Sequence, residues 1–357
     1  MDRLRVADVA LFYGERSGGI RTYLDAKAKY ARRTGALEHH VLVPGPEERH
    51  DAGWHELRSL RLAASNGYRL PLGAGALRDT LRAIEPDVVL LHDPFWRPLR
   101  VTHTAQRLGA RVLAVHHASI DLDAAGLPGP TRLYRPLLHA WFHHAYRELD
   151  GVISVVDPEP DSGRSATMPL RLGLDPAFRP YDDVRRGEHV LYVGRLGREK
   201  GIFELLEAAA GSAEPWPLRI IGSGPAEPAI VASIGRLGLG RRVSLRPFIA
   251  GRRELARTYA EAACVVMPGA FETFGFVGLE AAASGARVVA CTTAPSAAEA
   301  GALMETFAPG DGHGLLRAIE RARAEEPDLE AARRLVGRMS WDSAFSAEIA
   351  DLRRLAR

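Results

Sequence analysis

Along the whole chain, short clusters of leucine and β-branched residues alternate with longer stretches in which apolar residues recur at helical spacing. This is the cadence of βαβ units on parallel sheets: a strand covered on both faces needs no polar alternation, while its crossover helix needs one apolar stripe. The first half predicts strands at Val6–Tyr13, His40–Val43, Val88–Leu91, Val112–His116 and Val152–Val156. Between them it predicts helices near Ile20–Thr34, Leu77–Ile84, Thr102–Leu108 and Thr131–Leu149. The second half predicts strands at Val190–Val193, Leu218–Ile221, Val243–Leu245, Cys264–Met267 and Val288–Cys291, each expected to be buried on both faces. Asp157–Tyr181 holds five prolines and no sustained periodicity, as an interdomain connection would. The expectation is therefore α/β with two domains: an N-terminal domain over 1–165, a linker over 166–185 and a C-terminal domain over 186–338. An amphipathic helix over 339–357, centred on Trp341–Leu355, closes the chain. A length of 357 residues at 46% apolar suits two cores of ~150 to 200 residues.

Composition narrows the function classes. The net charge is +3, and residues 1–180 carry 24 Lys and Arg against 21 Asp and Glu, so the excess lies in the first half. That argues against a nucleic-acid partner. Cys264 and Cys291 sit inside apolar runs and read as buried, reduced thiols of a cytoplasmic protein. Met1–Tyr13 is interrupted by Asp2, Arg3, Arg5 and Asp8, and no long uncharged apolar run follows anywhere, so neither a signal peptide nor a membrane span is expected. Two helices mix cations with large apolar groups, one with Arg132, Tyr134, Arg135, Trp141 and Phe142, the other with Arg21, Lys27, Lys29, Arg32 and Arg33. They offer peripheral contact with an anionic membrane at the inner face of the cell, or ordinary packing with solvated arginines.

Three segments of the second half carry the chemistry. In Val193-Gly194-Arg195-Leu196-Gly197-Arg198-Glu199-Lys200-Gly201 a strand ends and a helix begins, placing Arg195 and Lys200 at the carboxyl edge of a parallel sheet. Two cations beside a helix N-terminus suit a diphosphate. Lysine occurs at only three positions, 27, 29 and 200, so its use here favours a point charge over a planar fork; a solvated charged loop is the plain alternative. In Glu272-Thr273-Phe274-Gly275-Phe276-Val277-Gly278-Leu279-Glu280 both carboxylates are expected to face one crevice, and Gly275 to let a ligand approach the backbone. A carboxylate at Glu280 can accept two hydrogen bonds from a ribose diol, or simply complement the helix dipole. The turn Ile221-Gly222-Ser223-Gly224-Pro225 is weak evidence alone, since it lacks the third glycine of a dinucleotide fingerprint.

Taken in order, the Gly-Arg-Leu…Lys-Gly segment, the Gly-Ser-Gly-Pro turn and the two glutamates separated by seven residues resemble glycosyltransferase family 4, closely over Val190 to about Ala290 and loosely elsewhere, with Ser340-Trp341-Asp342 similar to the family's closing helix. The resemblance implies a GT-B fold, two Rossmann-like doubly wound domains facing across a cleft, with the last helix packing back on the first domain. It implies a retaining, metal-independent hexosyltransferase that uses a UDP or GDP sugar as co-substrate and no cofactor. The acceptor would be a glycan, a lipid-linked sugar or a small molecule. Arg195 and Lys200 would hold the donor diphosphate, Glu280 the ribose, and Glu272 the transferred sugar. Gly194, Gly224 and the amides around Phe274, Gly275 and Phe276 would line the donor. The family's Gly-Gly loop ending in Pro-Glu is replaced here by Thr292-Thr293-Ala294-Pro295-Ser296, so no contact is carried over there.

In the first half, Ser17-Gly18-Gly19 precedes a helix and matches the family's glycine-rich loop, where Gly18 and Gly19 would present N–H groups to phosphate; a structural tight turn is the alternative. Eleven of the 13 histidines lie before residue 151. His116, at the end of a predicted strand, looks like the family's cleft histidine that contacts the donor sugar, with His117 as its rival. His139, His143 and His144 read as surface or packing residues. A sugar-nucleotide epimerase of GT-B type is the alternative function; it would need donor without acceptor.

Overall fold

The computed structural model describes residues 3–14, 19–61, 69–93, 95–96, 98–116, 131–154, 166–270, 272 and 274–356. The chain divides into two units, residues 1–173 together with 341–357, and residues 174–340.

The first unit runs β1 (Arg5–Val9), α1 (Gly19–Thr34), β2 (Glu38–Gly45), β3 (Arg49–Asp51), β4 (Trp54–Arg61), β5 (Arg69–Pro71), α2 (Gly75–Ile84), β6 (Val88–Leu91), α3 (Pro98–Arg107), β7 (Arg111–His116), α4 (Thr131–Tyr146), β8 (Gly151–Ser154) and β9 (Ala166–Pro169). Its sheet has the order β3-β4-β2-β1-β6-β7-β8-β9, with β5 on β4; β3 and β5 pair antiparallel to β4 and the other pairings are parallel. The second unit runs β10 (Val190–Val193), α5 (Ile202–Gly211), β11 (Leu218–Ile221), α6 (Glu227–Arg236), β12 (Val243–Arg246), α7 (Arg252–Ala260), β13 (Cys264–Met267), α8 (Phe276–Ala283), β14 (Val288–Cys291), α9 (Ser296–Ala300), β15 (Met304–Phe307), α10 (Gly312–Ala324) and α11 (Leu329–Arg338). Its sheet is wholly parallel, in the order β12-β11-β10-β13-β14-β15. The last helix, α12 (Trp341–Leu355), belongs to the first unit.

Where the apolar runs were continuous, strands form at the expected residues: Val88–Leu91, Val190–Val193, Leu218–Ile221, Cys264–Met267 and Val288–Cys291. Three of these are buried throughout and the other two, β10 and β11, at three of their four residues, as central parallel strands must be. The expectation of two-sided burial fails at β12, which alternates between half-buried and exposed because it is an edge strand with one neighbour. The pattern also missed β3, β4, β5, β9 and β15. Strands such as Trp54–Arg61 mix histidine, glutamate and arginine with few apolar residues, since one of their faces meets water. β9 lies inside the proline-rich stretch read as a connection, and pairs in parallel with β8. β1 is shorter than expected and stops at Val9, while α3 begins at Pro98, where the missing N–H costs nothing.

One ionic cluster joins the chain's two ends. Lys27, among the cations that the sequence offers to an anionic membrane or to ordinary packing, has its side chain fully buried, with Nζ 3.0 Å from Asp8 and 2.8 Å from Glu348 of α12. His39 and His92 each place Nε2 2.6 Å from Asp8, and the Tyr23 hydroxyl donates to Glu348 at 2.5 Å. Burial drives the Asp8 carboxyl upward, but Lys27 and the two imidazole contacts outweigh it and hold it well below the usual carboxylate range. The aromatic rings of Tyr23, Trp341 and Phe345 pack beside this cluster. Removing one partner strands an opposite charge in a dry interior. Lys27→Met is therefore expected to destabilise the first unit by about 3 to 5 kcal/mol, read as a lower denaturation midpoint; an unchanged midpoint contradicts the burial argument.

Candidate active site

Strand β10 lies between β11 and β13. The chain leaving β10 proceeds through α5 to β11 on one side, whereas the chain leaving β13 proceeds through α8 to β14 on the other. Loops that part in this way leave a crevice beyond the carboxyl ends of the strands, the usual ligand position in open α/β sheets.

The loop after β10 is held by backbone and buried side chains. The Tyr192 hydroxyl donates to the Arg195 carbonyl at 2.8 Å, and Leu196 N–H donates to the Ser223 carbonyl at 3.0 Å. Gly224 is required by this approach: a Cβ there would lie 2.4 Å from the Leu196 oxygen. A single 3-10 turn, Arg198–Lys200, follows, and α5 opens at Gly201. A Cβ on Gly269 would meet Lys200 Cα at 3.1 Å, so the loops after β10 and β13 are packed against each other. Across that contact Lys200 Nζ donates to Glu272 Oε1 at 2.9 Å, both side chains being about one fifth exposed. Arg195 leaves the same loop but turns to Glu199, at 2.6 Å, and is more exposed. The structure thus brings Lys200 and Glu272 together and gives Arg195 a different carboxylate.

Helix α8 begins after Gly275, whose φ of 68° lies in the left-handed region. A Cβ at Gly275 would fall 2.2 Å from Ser296 Oγ of α9, so this close approach requires glycine there as well as its φ does. Phe274 is buried and its ring meets that of Phe276 at 5.3 Å. The N-terminal ends of α5 and α8 have no side-chain cap, which leaves both dipole ends to complement an anion.

Glu280, one turn into α8, is 9% exposed. Its Oε1 lies 3.6 Å from Arg252 and its Oε2 3.4 Å from the Tyr259 hydroxyl. Both contacts are long for charged hydrogen bonds, leaving the carboxylate with acceptor capacity. Glu272 and Glu280 therefore have separate partners, Lys200 for one and Arg252 with Tyr259 for the other. Burial pushes the Glu280 carboxyl up to about 7, against the pull of Arg252 and Tyr259. Arg252 and Tyr259 went unnoticed in the sequence, although a spacing of seven places them on one face of α7.

Gly19 and His116 belong to the first unit. Gly19 opens α1; Gly18 and His117 lie outside the described residues. His116 ends β7 with its ring 5.1 Å from that of Phe142 and 6.2 Å from that of Tyr146. Burial lowers its imidazole to about 4, so it is neutral at pH 7, and its buried Nε2 has no hydrogen-bond partner among the described residues. His139, His143 and His144 are exposed on α4. Cys264 and Cys291 are free and buried, with the Cys264 thiol raised by burial to about 12. Among the described residues no group of three or more His, Cys, Asp or Glu is disposed to hold a metal ion, and no helix is long and apolar enough to cross a membrane.

Residues 187–325 match the family model described as Glycosyl transferases group 1, and residues 17–159 match that described as Glycosyltransferase Family 4. A GDP-mannose-dependent alpha-(1-6)-phosphatidylinositol dimannoside mannosyltransferase of Mycobacterium tuberculosis is 26% identical over 99% of this chain and 97% of its own length. A GDP-mannose-dependent alpha-mannosyltransferase of the same organism is 30% identical over 80% of this chain and 79% of its own. The solved structure of sucrose-phosphate synthase from Thermosynechococcus elongatus superposes with a TM-score of 0.77 at 20% identity, covering 99% of this chain and 98% of that one, a likeness of fold.

The raised Glu280 carboxyl has a stability consequence. Its folded-state value, about 7, lies above the ordinary 4.5, so the native state binds the proton more tightly; the stabilisation is complete below about 4.5 and lost as pH rises through 7. Glu280→Gln removes this loss. At pH 8 it is expected to be more stable than the wild type by on the order of 1 to 3 kcal/mol, with little difference at pH 4.5, in paired thermal melts; an equal or lower melting temperature at pH 8 contradicts the assignment.

Proposed function

This chain belongs to glycosyltransferase family 4, retaining enzymes of GT-B fold, and from that premise we propose that it moves mannose from GDP-mannose to a hydroxyl of a lipid-linked, mannosylated inositol. The observation that carries the donor site is the Lys200–Glu272 pair, a partly buried lysine set at 2.9 Å from a carboxylate where the loops after β10 and β13 meet. Two relatives named for GDP-mannose, one similar along nearly its whole length, support the donor, and the first of them supports the acceptor class.

In this reading the diphosphate lies against Lys200 and the uncapped ends of α5 and α8, with Arg195 turning from Glu199 to a phosphate oxygen. Gly194, Gly224 and the amides of Phe274, Gly275 and Phe276 line the donor, and Glu280 accepts from the ribose hydroxyls. Glu272, released from Lys200 when phosphate takes the ammonium, contacts the mannose near its reacting face. Of the first unit's candidate residues, Gly19 opens α1 and His116 carries a neutral imidazole, the form that can both donate and accept a hydrogen bond with a sugar hydroxyl. As the anomeric C–O bond breaks, negative charge grows on the departing phosphate, where a fixed ammonium and helix ends act most strongly in a water-poor site. That phosphate takes the acceptor hydroxyl's proton while the hydroxyl oxygen bonds to the anomeric carbon on the face being vacated, which retains configuration. Lysine, arginine and helix ends supply the countercharge, so no metal is needed.

Trp141 and Leu137 are exposed on α4 beside exposed Arg135, a surface suited to an anionic bilayer that carries the acceptor. On α1, Lys29, Arg32 and Arg33 remain exposed, but Lys27 contributes nothing outward.

With radiolabelled GDP-mannose and phosphatidylinositol dimannoside in mixed micelles, transfer is expected in the presence of EDTA, and UDP-glucose and free inositol phosphate are expected to be poor substitutes. Lys200→Ala should lower kcat/KM by at least ~100-fold, about 2.7 kcal/mol of transition-state stabilisation. Preference for UDP-glucose overturns the donor assignment, and wild-type turnover by Lys200→Ala overturns the site.

A further inference from the structure

We propose that Arg252 is a positioning residue for donor binding: bridging Glu280 and Asp175 at long range, it sets a positive charge beside the Glu280 carboxyl while leaving its oxygens open to the ribose hydroxyls. The inference rests on the reading of Glu280 as the ribose acceptor.

Arg252 is the first residue of α7. Its Nη1 lies 3.6 Å from Glu280 Oε1 and its Nε 3.5 Å from Asp175 Oδ2, while its guanidinium carbon sits 5.9 Å from the centre of the Phe178 ring. A planar guanidinium can face two carboxylates at once with different edges, which an ammonium does less well. The exposures are graded: the Arg252 side chain is 41% exposed, that of Asp175 33%, that of Glu280 12%. The cation is thus hydrated while the carboxylate it serves is withdrawn from water.

The groups facing Glu280 set its charge in opposing directions. Burial favours the neutral acid; Arg252 and the Tyr259 hydroxyl, both on α7, favour the carboxylate; Asp175, near the start of the second unit, opposes it. A protonated Glu280 presents only one good acceptor oxygen and a competing donor, so it cannot receive both hydroxyls of a diol. The long Arg252 contact serves this purpose: near enough to hold the charge, too far to occupy the lone pairs. Because Arg252 is shared, removing it and removing the charge of Asp175 must act with opposite signs.

The test is the pH dependence of GDP binding between pH 5.5 and 9, by calorimetry, on the full chain and on Arg252→Gln, Arg252→Lys, Asp175→Asn and Glu280→Gln. Glu280→Gln reports the nucleotide's own titration and serves as the baseline. Relative to it, wild-type affinity is expected to fall as pH drops through about 7. Arg252→Gln should move that midpoint up by about one unit, costing ~5-fold in affinity at pH 7, approaching ~10-fold toward pH 6 and recovering by pH 9; Arg252→Lys should restore part of the loss. Asp175→Asn, which can still accept from the Ala177 N–H as Asp175 does at 2.9 Å, should move the midpoint down. A uniform loss for Arg252→Gln at every pH, or a shift of the same sign for Asp175→Asn, overturns the role of Arg252 while leaving the ribose reading intact. Wild-type affinity in Glu280→Gln at all pH values overturns the ribose reading itself.

Discussion

Strands β10 and β13 lie side by side but send their chains to opposite ends of the second sheet, so the loops that leave them must part above the strand ends. Those loops carry Lys200 and Glu272 to one meeting point and lead into two helix starts. The lysine pairs with a glutamate contributed by the other loop, so each loop fixes the other's charged group. Neither charge is fully buried, and this matters: a fully desolvated pair would resist exchange for a phosphate, while a fully hydrated one would be too floppy to discriminate.

Elsewhere the chain uses the same materials for a different end. The cluster of Asp8, Lys27, His39, His92, Tyr23 and Glu348 is closed to water and cross-linked through its charges, and it fastens α12 to the sheet of the first unit. Lys27 and Lys200 are thus chemically alike yet opposite in office. One has two carboxylates within 3.0 Å and no exposed surface; the other retains about a fifth of its side chain in solvent. Exposure, rather than residue type, separates the structural lysine from the one suited to a ligand.

Much of the architecture could be read from the apolar runs. Val88–Leu91 or Cys264–Met267 must be covered on both faces, and only parallel sheets flanked by helices do that. The edge strands escaped because hydration of one face removes the signal: Trp54–Arg61 has the composition of a loop. At the site, the glycines and charges following β10 and β13 were conspicuous because strand-to-helix turns punctuate the sequence. What could not be read were partnerships across elements. Nothing near Lys27 in sequence announces Glu348, and nothing near Glu280 announces Arg252 or Asp175. Gly275 shows the same limit: its need for glycine was plain, but the close approach of Ser296 Oγ on its Cβ side was not.

The most direct measurement is a crystal structure with GDP bound. The account predicts phosphate oxygens within hydrogen-bonding distance of Lys200 Nζ, about 2.7 to 2.9 Å, the Arg195 guanidinium swung from Glu199 to the diphosphate, and the ribose hydroxyls on Glu280. A nucleotide found elsewhere on the second unit, with the Lys200–Glu272 pair intact and Glu280 untouched, contradicts it.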